Sequence, residues 1–337
     1  MKLRFAALAV ATAMTTFNST AATVYQSEDS SLDIGGRIEA RANFSKANES
    51  DTSSSQFSDA SRGRLNIEGK QSVSDGLAFT GKYEFELTET DDGEIDDVSI
   101  NTRYLYVGAE TNYGSIYYGH QNNAVTYLTD WTDMAETFSG YINEYTVTTS
   151  DRAKNVLKYD YTNERMTFQL SGNFNSDVDA ENSTGVGAVL AYSLPIGLEV
   201  GIGYATSDET YSEGSDTAKS NAQMLAAKYV NDNGLWVSVL YQGGQISKLE
   251  VVEANYQSAD AYLGYSFGDN NVNVTYSYFD AEGLDELDIN FVGLEYARTF
   301  SDVTLFGSYK INLLNEGKGG LGDNDDNEVM LGLRYSF

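Results

Sequence analysis

The stretch Leu32-Asp33-Ile34-Gly35-Gly36-Arg37-Ile38-Glu39-Ala40-Arg41-Ala42-Asn43-Phe44 decides the fold. Taken two residues at a time, one face is Leu, Ile, Gly, Ile, Ala, Ala, Phe. The other is Asp, Gly, Arg, Glu, Arg, Asn. A period of two over so many residues is a long β-strand with one apolar and one charged face. The pattern repeats. Leu77, Phe79, Gly81, Tyr83, Phe85 and Leu87 alternate with Thr80, Lys82, Glu84 and Glu86. At the end of the chain Val329, Leu331, Leu333, Tyr335 and Phe337 alternate with Glu328, Met330, Gly332, Arg334 and Ser336.

Read this way, the chain predicts sixteen strands: 32–44, 61–73, 76–88, 99–109, 112–119, 152–162, 165–175, 184–194, 197–206, 218–231, 233–243, 254–267, 271–279, 288–298, 302–312 and 327–337. Short connections alternate with long polar ones, which describes an up-and-down meander. A soluble sandwich or propeller would bury the apolar face, and no blade-like repeat is visible. Closed into a ring, sixteen strands leave a lumen wide enough for water. The charged face is then solvated inside, and the apolar face needs a bilayer outside. A closed barrel pairs every backbone group, so no edge meets lipid. The expectation is an all-β transmembrane antiparallel barrel, with interfacial belts of Tyr and Phe.

Composition narrows the function. The 337 residues hold 50 acidic and 21 basic side chains, a net charge of -29, with 31 Gly, 25 Tyr, one Pro, one His and no Cys. Without Cys there is no disulfide and no thiolate metal site. One His, His120, excludes a multi-His zinc site, and no nucleophile is tied to it by a motif. It reads as a pore-lining or loop-anchoring residue rather than a catalyst. The charge disfavours nucleic acid. No apolar run is long enough for a helical span. The acidic runs 88–97 and 323–328 lack EF-hand spacing and read as solvated loops.

Residues 1–22 read as a secretory signal peptide. Lys2 and Arg4 precede an apolar stretch, and Thr20-Ala21-Ala22 offers a cleavage site. Cleavage after Ala22 leaves a single barrel domain, 23–337, with 19 basic residues against 50 acidic. One connection, 120–151, is far longer than the rest. Within it Ala124–Thr137 reads as a short helix, and its acids Asp130, Asp133, Glu136 and Glu144 face the bore if the loop folds inward. A loop of this length in a compact barrel tends to be functional.

Several motifs carry a family resemblance. They are Gly63-Arg64-Leu65-Asn66-Ile67-Glu68-Gly69-Lys70, Thr102-Arg103-Tyr104-Leu105-Tyr106-Val107-Gly108, Tyr113-Gly114-Ser115-Ile116-Tyr117-Tyr118-Gly119, Trp131-Thr132-Asp133-Met134 and the closing Leu333-Arg334-Tyr335-Ser336-Phe337. Through them the mature chain resembles the general diffusion porins of Gram-negative outer membranes, the sixteen-stranded trimeric type. Gly35-Gly36-Arg37-Ile38-Glu39-Ala40-Arg41 is similar to the marine and vibrio-like branch. The resemblance implies a constriction in which loop-three carboxylates oppose basic residues on the wall. Carried over, the basic side is Arg37, Arg64, Arg103 and Arg152. The acidic side is Asp133 with Glu136. Strand parity independently sets all four arginines opposite the apolar face, with Arg62 and Lys154 alongside. Asp130 is a third acidic candidate, its alternative being a charge on the loop helix. Tyr335 and Phe337 resemble the family's C-terminal assembly signal. Two positions depart from the family pattern. His120 stands where an Arg is frequent, and Ala135-Glu136-Thr137-Phe138-Ser139-Gly140 replaces a Pro-Glu-Phe-Gly-Gly run.

The implied function is a water-filled outer-membrane channel for passive diffusion of small hydrophilic solutes and ions, with no enzyme activity, cofactor or metal. Opposed charges across a narrow wet gap set up a transverse field that favours polar solutes. With this much acid, cations are favoured. Implied partners are those solutes and inorganic cations, outer-membrane lipid and lipopolysaccharide, the barrel-assembly machinery and two further copies in a homotrimer. A substrate-specific channel, or loops that also serve as adhesin or phage receptor, are the alternatives. A sugar channel wants an aromatic track in the lumen, whereas most aromatics here fall on the outer parity.

Overall fold

Alternation of small apolar and charged residues produces strands, and the strands close on themselves. The computed structural model describes residues 21–337 apart from 50–53, 90–97, 144, 146, 177–181, 211–217, 247–253, 316–317 and 320–325. The signal-peptide expectation falls almost wholly on residues outside the described ones, and so does Glu144.

The wall strands are β1 (Ser30–Ser45), β2 (Arg62–Ser74), β3 (Leu77–Glu89), β4 (Val98–Thr111), β5 (Gly114–Asn122), β6 (Arg152–Thr162), β7 (Met166–Ser176), β8 (Asn182–Ser193), β9 (Leu198–Thr210), β10 (Ala218–Val230), β11 (Leu235–Ile246), β12 (Ala254–Phe267), β13 (Asn270–Ala281), β14 (Ile289–Phe300), β15 (Val303–Asn312) and β16 (Glu328–Ser336). Each pairs antiparallel with the next, and β16 pairs with β1 from Glu328↔Ser45 to Ser336↔Arg37, so the sheet is a closed barrel. Seven connections are turns of two to four residues, all at the end that holds both termini. The long connections leave the opposite end. By the rule for such barrels, the turns are periplasmic and the loops extracellular.

The burial pattern is inverted relative to a soluble protein. Large apolar side chains are exposed on the outer face, as with Ile38 at 61% and Leu105 at 55%, whereas Glu39, Glu84, Glu295 and Lys310 are buried toward the interior. That is the arrangement a bilayer outside and polar contacts inside demand. No helix among the described residues is long and apolar enough to cross a membrane.

Two short strands were not expected. Phe57–Asp59 pairs with Ala42–Phe44 of β1. Ala22–Gln26 pairs with Ser31–Ile34 of β1, where β16 has run out. Between these two partners of β1, Phe337 and Gly36 exchange backbone hydrogen bonds of 2.8 and 3.0 Å. The final residue therefore continues the ladder that closes the barrel.

Candidate constriction site

Two irregularities aim the basic side chains. In β4 the pairing jumps from Glu84↔Tyr104 to Phe85↔Thr102, leaving Arg103 as the extra residue of a bulge. A bulge inverts parity across it. Tyr104 and Tyr106 therefore join Tyr117 on the inner wall, in edge-to-face pairs with centroids 6.2 and 5.5 Å apart. Most aromatics lie on the outer parity, as expected, and these three tyrosines are exceptions. In β6 Asn155 takes φ 54°, and β5 skips from Gly119↔Val156 to Gln121↔Ala153. The shift breaks the parity assumed for Lys154, which does not line the bore cavity, whereas Arg152 does. His120 pairs with Leu105, an outward residue, so it sits on the outer face of the ladder and does not line the pore.

Arg37, Arg62, Arg64, Arg103 and Arg152 all line one cavity of about 730 Å³, together with Asp133 and Glu136. Asp130 is not part of that lining. Arg41 and Arg334 line it too, and the sequence reading missed both as site residues, although each lies on the lumen parity. The arginines are spaced by buried carboxylates from neighbouring strands. Glu39 pairs with Arg37 and Arg41 at 2.7 Å each and with Arg62 at 2.9 Å. Glu86 holds Arg64 at 2.5 Å, and Glu84 holds Arg103 at 3.0 Å. This interleaving allows Arg37 and Arg64 to face each other directly across β1 and β2. Like charges so placed repel unless countered. Arg152 lies over the Tyr104 ring, 5.2 Å from its centroid.

The long loop fills the other half of the bore. Its helix is confined to α1 (Thr126–Thr129), shorter than the expected Ala124–Thr137. The loop is set by docking rather than by helix propensity. Ala124, Val125, Leu128, Trp131, Ile142 and Val147 pack on Val189, Ala191, Ala205, Ala222, Met224, Ala226 and Leu240 of β8–β11. A Cβ added at Gly203 would come within 3.2 Å of Leu128 and 3.3 Å of Val125, so the missing side chain makes room for α1. Inner wall positions here are small and apolar where the rest of the barrel carries charge. That is the sequence signal that marks the docking surface.

Beyond the apolar patch, three buried wall carboxylates each accept a backbone N–H of the loop. Thr148 N–H donates to Glu209 at 3.0 Å, Ile142 N–H to Asp260 at 3.1 Å and Glu136 N–H to Glu295 at 2.9 Å. Glu209 belongs to β9 and is buried. Thr275 Oγ1 donates to the Phe138 carbonyl at 2.6 Å, and Arg41 to the Glu136 carbonyl at 2.9 Å. The Glu136 carboxylate is held by the Arg334 guanidinium through both nitrogens. Glu136 thus fastens the loop to β16 and is not a free charge opposite the arginines. Burial pushes its carboxyl up and the Arg334 charge draws it back.

Asp133 differs, being exposed to the lumen. The Ser139 hydroxyl donates to its Oδ1 at 2.8 Å. Gly140 takes φ 77°, and a Cβ there would approach Asp133 Oδ1 to 2.7 Å, so this turn needs glycine. Asp130 is also open to the lumen. Enclosure pushes its carboxyl up to about 7, with the Asp133 and Asp151 charges adding and Lys158 and Arg152 opposing. Water in the bore screens the enclosure cost, so the lasting upward push is the repulsion among like charges.

A closed sixteen-strand barrel, apolar outside, with an inward-folded loop beside an arginine-lined bore, defines a β-barrel channel of the outer membrane. Comparison with known proteins gives the family. Residues 6–243 match the Gram-negative porin family model, and the chain belongs to that family. Porin-like protein L of Photobacterium profundum is 29% identical over the full length of both chains, as is outer membrane protein U of Vibrio parahaemolyticus. The fold is similar to that of Salmonella typhi OmpF in complex with daunomycin, with a TM-score of 0.80 at 20% identity over 94% of this chain and all of the other. It is also similar to the trimer form of Vibrio cholerae OmpT, with a TM-score of 0.70 at 17% identity over 92% of this chain and all of the other. The protein is therefore an outer-membrane porin, a channel for passive diffusion and of a family of channels rather than enzymes.

Proposed function

We propose that the wall strip Arg37, Arg62, Arg64, Arg103 and Arg152 and the loop carboxylate Asp133 form the constriction, and that the whole channel prefers cations. The observation that carries the first part is the shared cavity with Asp133 free in it and the arginines opposite. Charges fixed on two sides of a wet gap orient water across it, so moving an apolar solute through is costly and small polar ones pass. Glu136, fastened to Arg334, acts as an anchor and contributes little to the field. Asp130 contributes charge beside α1.

The second part rests on the charge distribution. The strip itself is not acidic: six arginines, counting Arg41, stand among Glu39, Glu84 and Glu86. Cation preference then arises from the loop carboxylates and the acidic outer segments. The segments 45–59, 88–98, 177–181, 206–216, 280–288 and 316–328 hold 26 of the 50 acids, of which Glu209 belongs to the wall and not to the outer charge. A preference of this origin is screened by salt, because the Debye length falls from about 10 Å at 0.1 M to about 3 Å at 1 M. Reversal potentials at rising ionic strength test it. The ratio of cation to anion permeability is expected to drop toward one, and a ratio that does not fall would place the selecting charges elsewhere.

The reading extends to a cleavage after Ala22, to a homotrimer and to assembly through Tyr335 and Phe337. Support for the last is the pairing of Phe337 with Gly36 at the barrel seam. A sugar-specific channel has one observation behind it, the inward row Tyr104, Tyr106 and Tyr117. Their rings pack edge to face and present no continuous flat track, so general diffusion is favoured.

A further inference from the structure

The chain has two tryptophans, and both close on one lysine. Lys228 is on the inner face of β10, below Ser220, Ala222, Met224 and Ala226. These four are buried and apolar or small, as the docking of α1 requires. An ammonium at the end of that row is costly unless it is paired and shielded. It is both. Lys228 is 6% exposed. Its Nζ lies 3.0 Å from Glu199 Oε2, 4.5 Å from the centroid of the Trp131 ring and 5.5 Å from that of Trp236. The cluster extends into the loop. Tyr127 of α1 donates its hydroxyl to Glu199 Oε1 at 2.8 Å and packs edge-on against Trp131 with centroids 5.7 Å apart. The Trp131 carbonyl accepts from Ser238 Oγ at 2.5 Å and from Trp236 Nε1 at 3.3 Å.

Trp131 is the last loop residue gripped on this side before Asp133. The chain between them stays in the helical turn, with Asp133 N–H donating to the Thr129 carbonyl at 3.2 Å. Moving the Trp131 ring therefore moves the turn that projects Asp133 into the bore. We propose that Lys228 is a positioning residue for the constriction: clamped between Trp131 and Trp236 and neutralised by Glu199, it sets how far Asp133 projects across the gap. The inference rests on Asp133 being the free constriction carboxylate. Lys228 touches no passing solute. It acts through Trp131, by a cation–π contact that is strong because the site is shielded from water.

The test compares Lys228→Met, Lys228→Arg, Asp133→Asn and the double variant Lys228→Met/Asp133→Asn, each as the full chain in planar bilayers, by reversal potential in a potassium chloride gradient. Lys228→Met is expected to move the potential in the same direction as Asp133→Asn. It is expected to raise open-channel current fluctuations above those of the unmodified channel. Lys228→Arg, which keeps a cation over both rings, is expected to stay at the unmodified value. In the double variant Lys228→Met should add nothing to the shift. A lysine that merely stabilised the barrel would not show that non-additivity. Because both tryptophans belong to the cluster, acrylamide quenching of the intrinsic emission reads it directly and should rise in Lys228→Met and in the double variant, and not in Lys228→Arg or Asp133→Asn. If Asp133→Asn shifts the potential and Lys228→Met does not, the positioning role is wrong. If Asp133→Asn shifts nothing, the constriction reading itself fails. Should Lys228→Met not assemble, Trp236→Leu removes one ring and one hydrogen bond to Trp131 and must give the same shift.

Discussion

Arg152 and Arg64 show how differently two arginines on one wall behave. Arg64 has Glu86 at 2.5 Å, so truncating it leaves that carboxylate only the more distant Arg62 and Arg103, at 3.7 and 3.9 Å. Among the described residues no carboxylate pairs with Arg152, which rests on Tyr104. Arg152→Ala should therefore raise the preference for cations and leave thermal stability nearly unchanged, within about 0.5 kcal/mol. Asp133→Asn should lower that preference. Reversal potentials for the two variants must shift in opposite directions, and shifts of one sign would dissolve the opposed-charge picture. Acid has a signed effect too. The Asp130 and Asp133 carboxyls are both pushed up, and with water in the bore the part that lasts is the repulsion from neighbouring carboxylates. A raised carboxyl takes its proton at higher pH as acid is added, so negative charge leaves the loop before an ordinary carboxylate, near about 4, would respond. Cation preference should begin to fall at a pH above the ordinary carboxylate range and return on neutralisation. A flat profile to about pH 4 would show that these two groups titrate normally.

Among elements, the strands were the most legible part of the sequence. An outward apolar face alternates with an inward charged or small one, and all sixteen fall where the alternation puts them. The bulges were not, because one extra residue at Arg103 or Asn155 inverts parity without leaving a mark in composition. Lys154 and the inward Tyr104 and Tyr106 follow from that. The docking of the long loop was half legible. Ala191, Gly201, Gly203, Ala205, Ala222 and Ala226 are small on the face that elsewhere holds charge. The carboxylate clamps were not, since Glu209, Asp260 and Glu295 look like any lumen acid until partners far off in sequence arrive. Asp260→Leu should free the Ile142 N–H at a cost of about 1–3 kcal/mol. It should appear as a noisier open channel while the barrel still forms. A quiet channel would mean that the apolar patch alone holds the loop. At the seam, deletion of Phe337 removes both hydrogen bonds to Gly36. The yield of folded protein in the membrane, read by heat-modifiable migration on gels, is expected to drop; full yield would remove any role for the last residue in assembly.

At the scale of the whole molecule, a wall of arginines interleaved with Glu39, Glu84 and Glu86 shares the bore with the loop carboxylate Asp133. Arginines line one inner wall and the loop packs against the other. A hole built this way needs no affinity site, conformational cycle or energy source. The measurement closest to that claim is the current through the reconstituted protein in a planar bilayer under a potassium chloride gradient. Conductance is expected to rise with salt without saturating, and the potential at zero current is expected to lie on the potassium side. A conductance that saturates at low salt, or a reversal potential on the chloride side, would contradict a passive, cation-preferring channel.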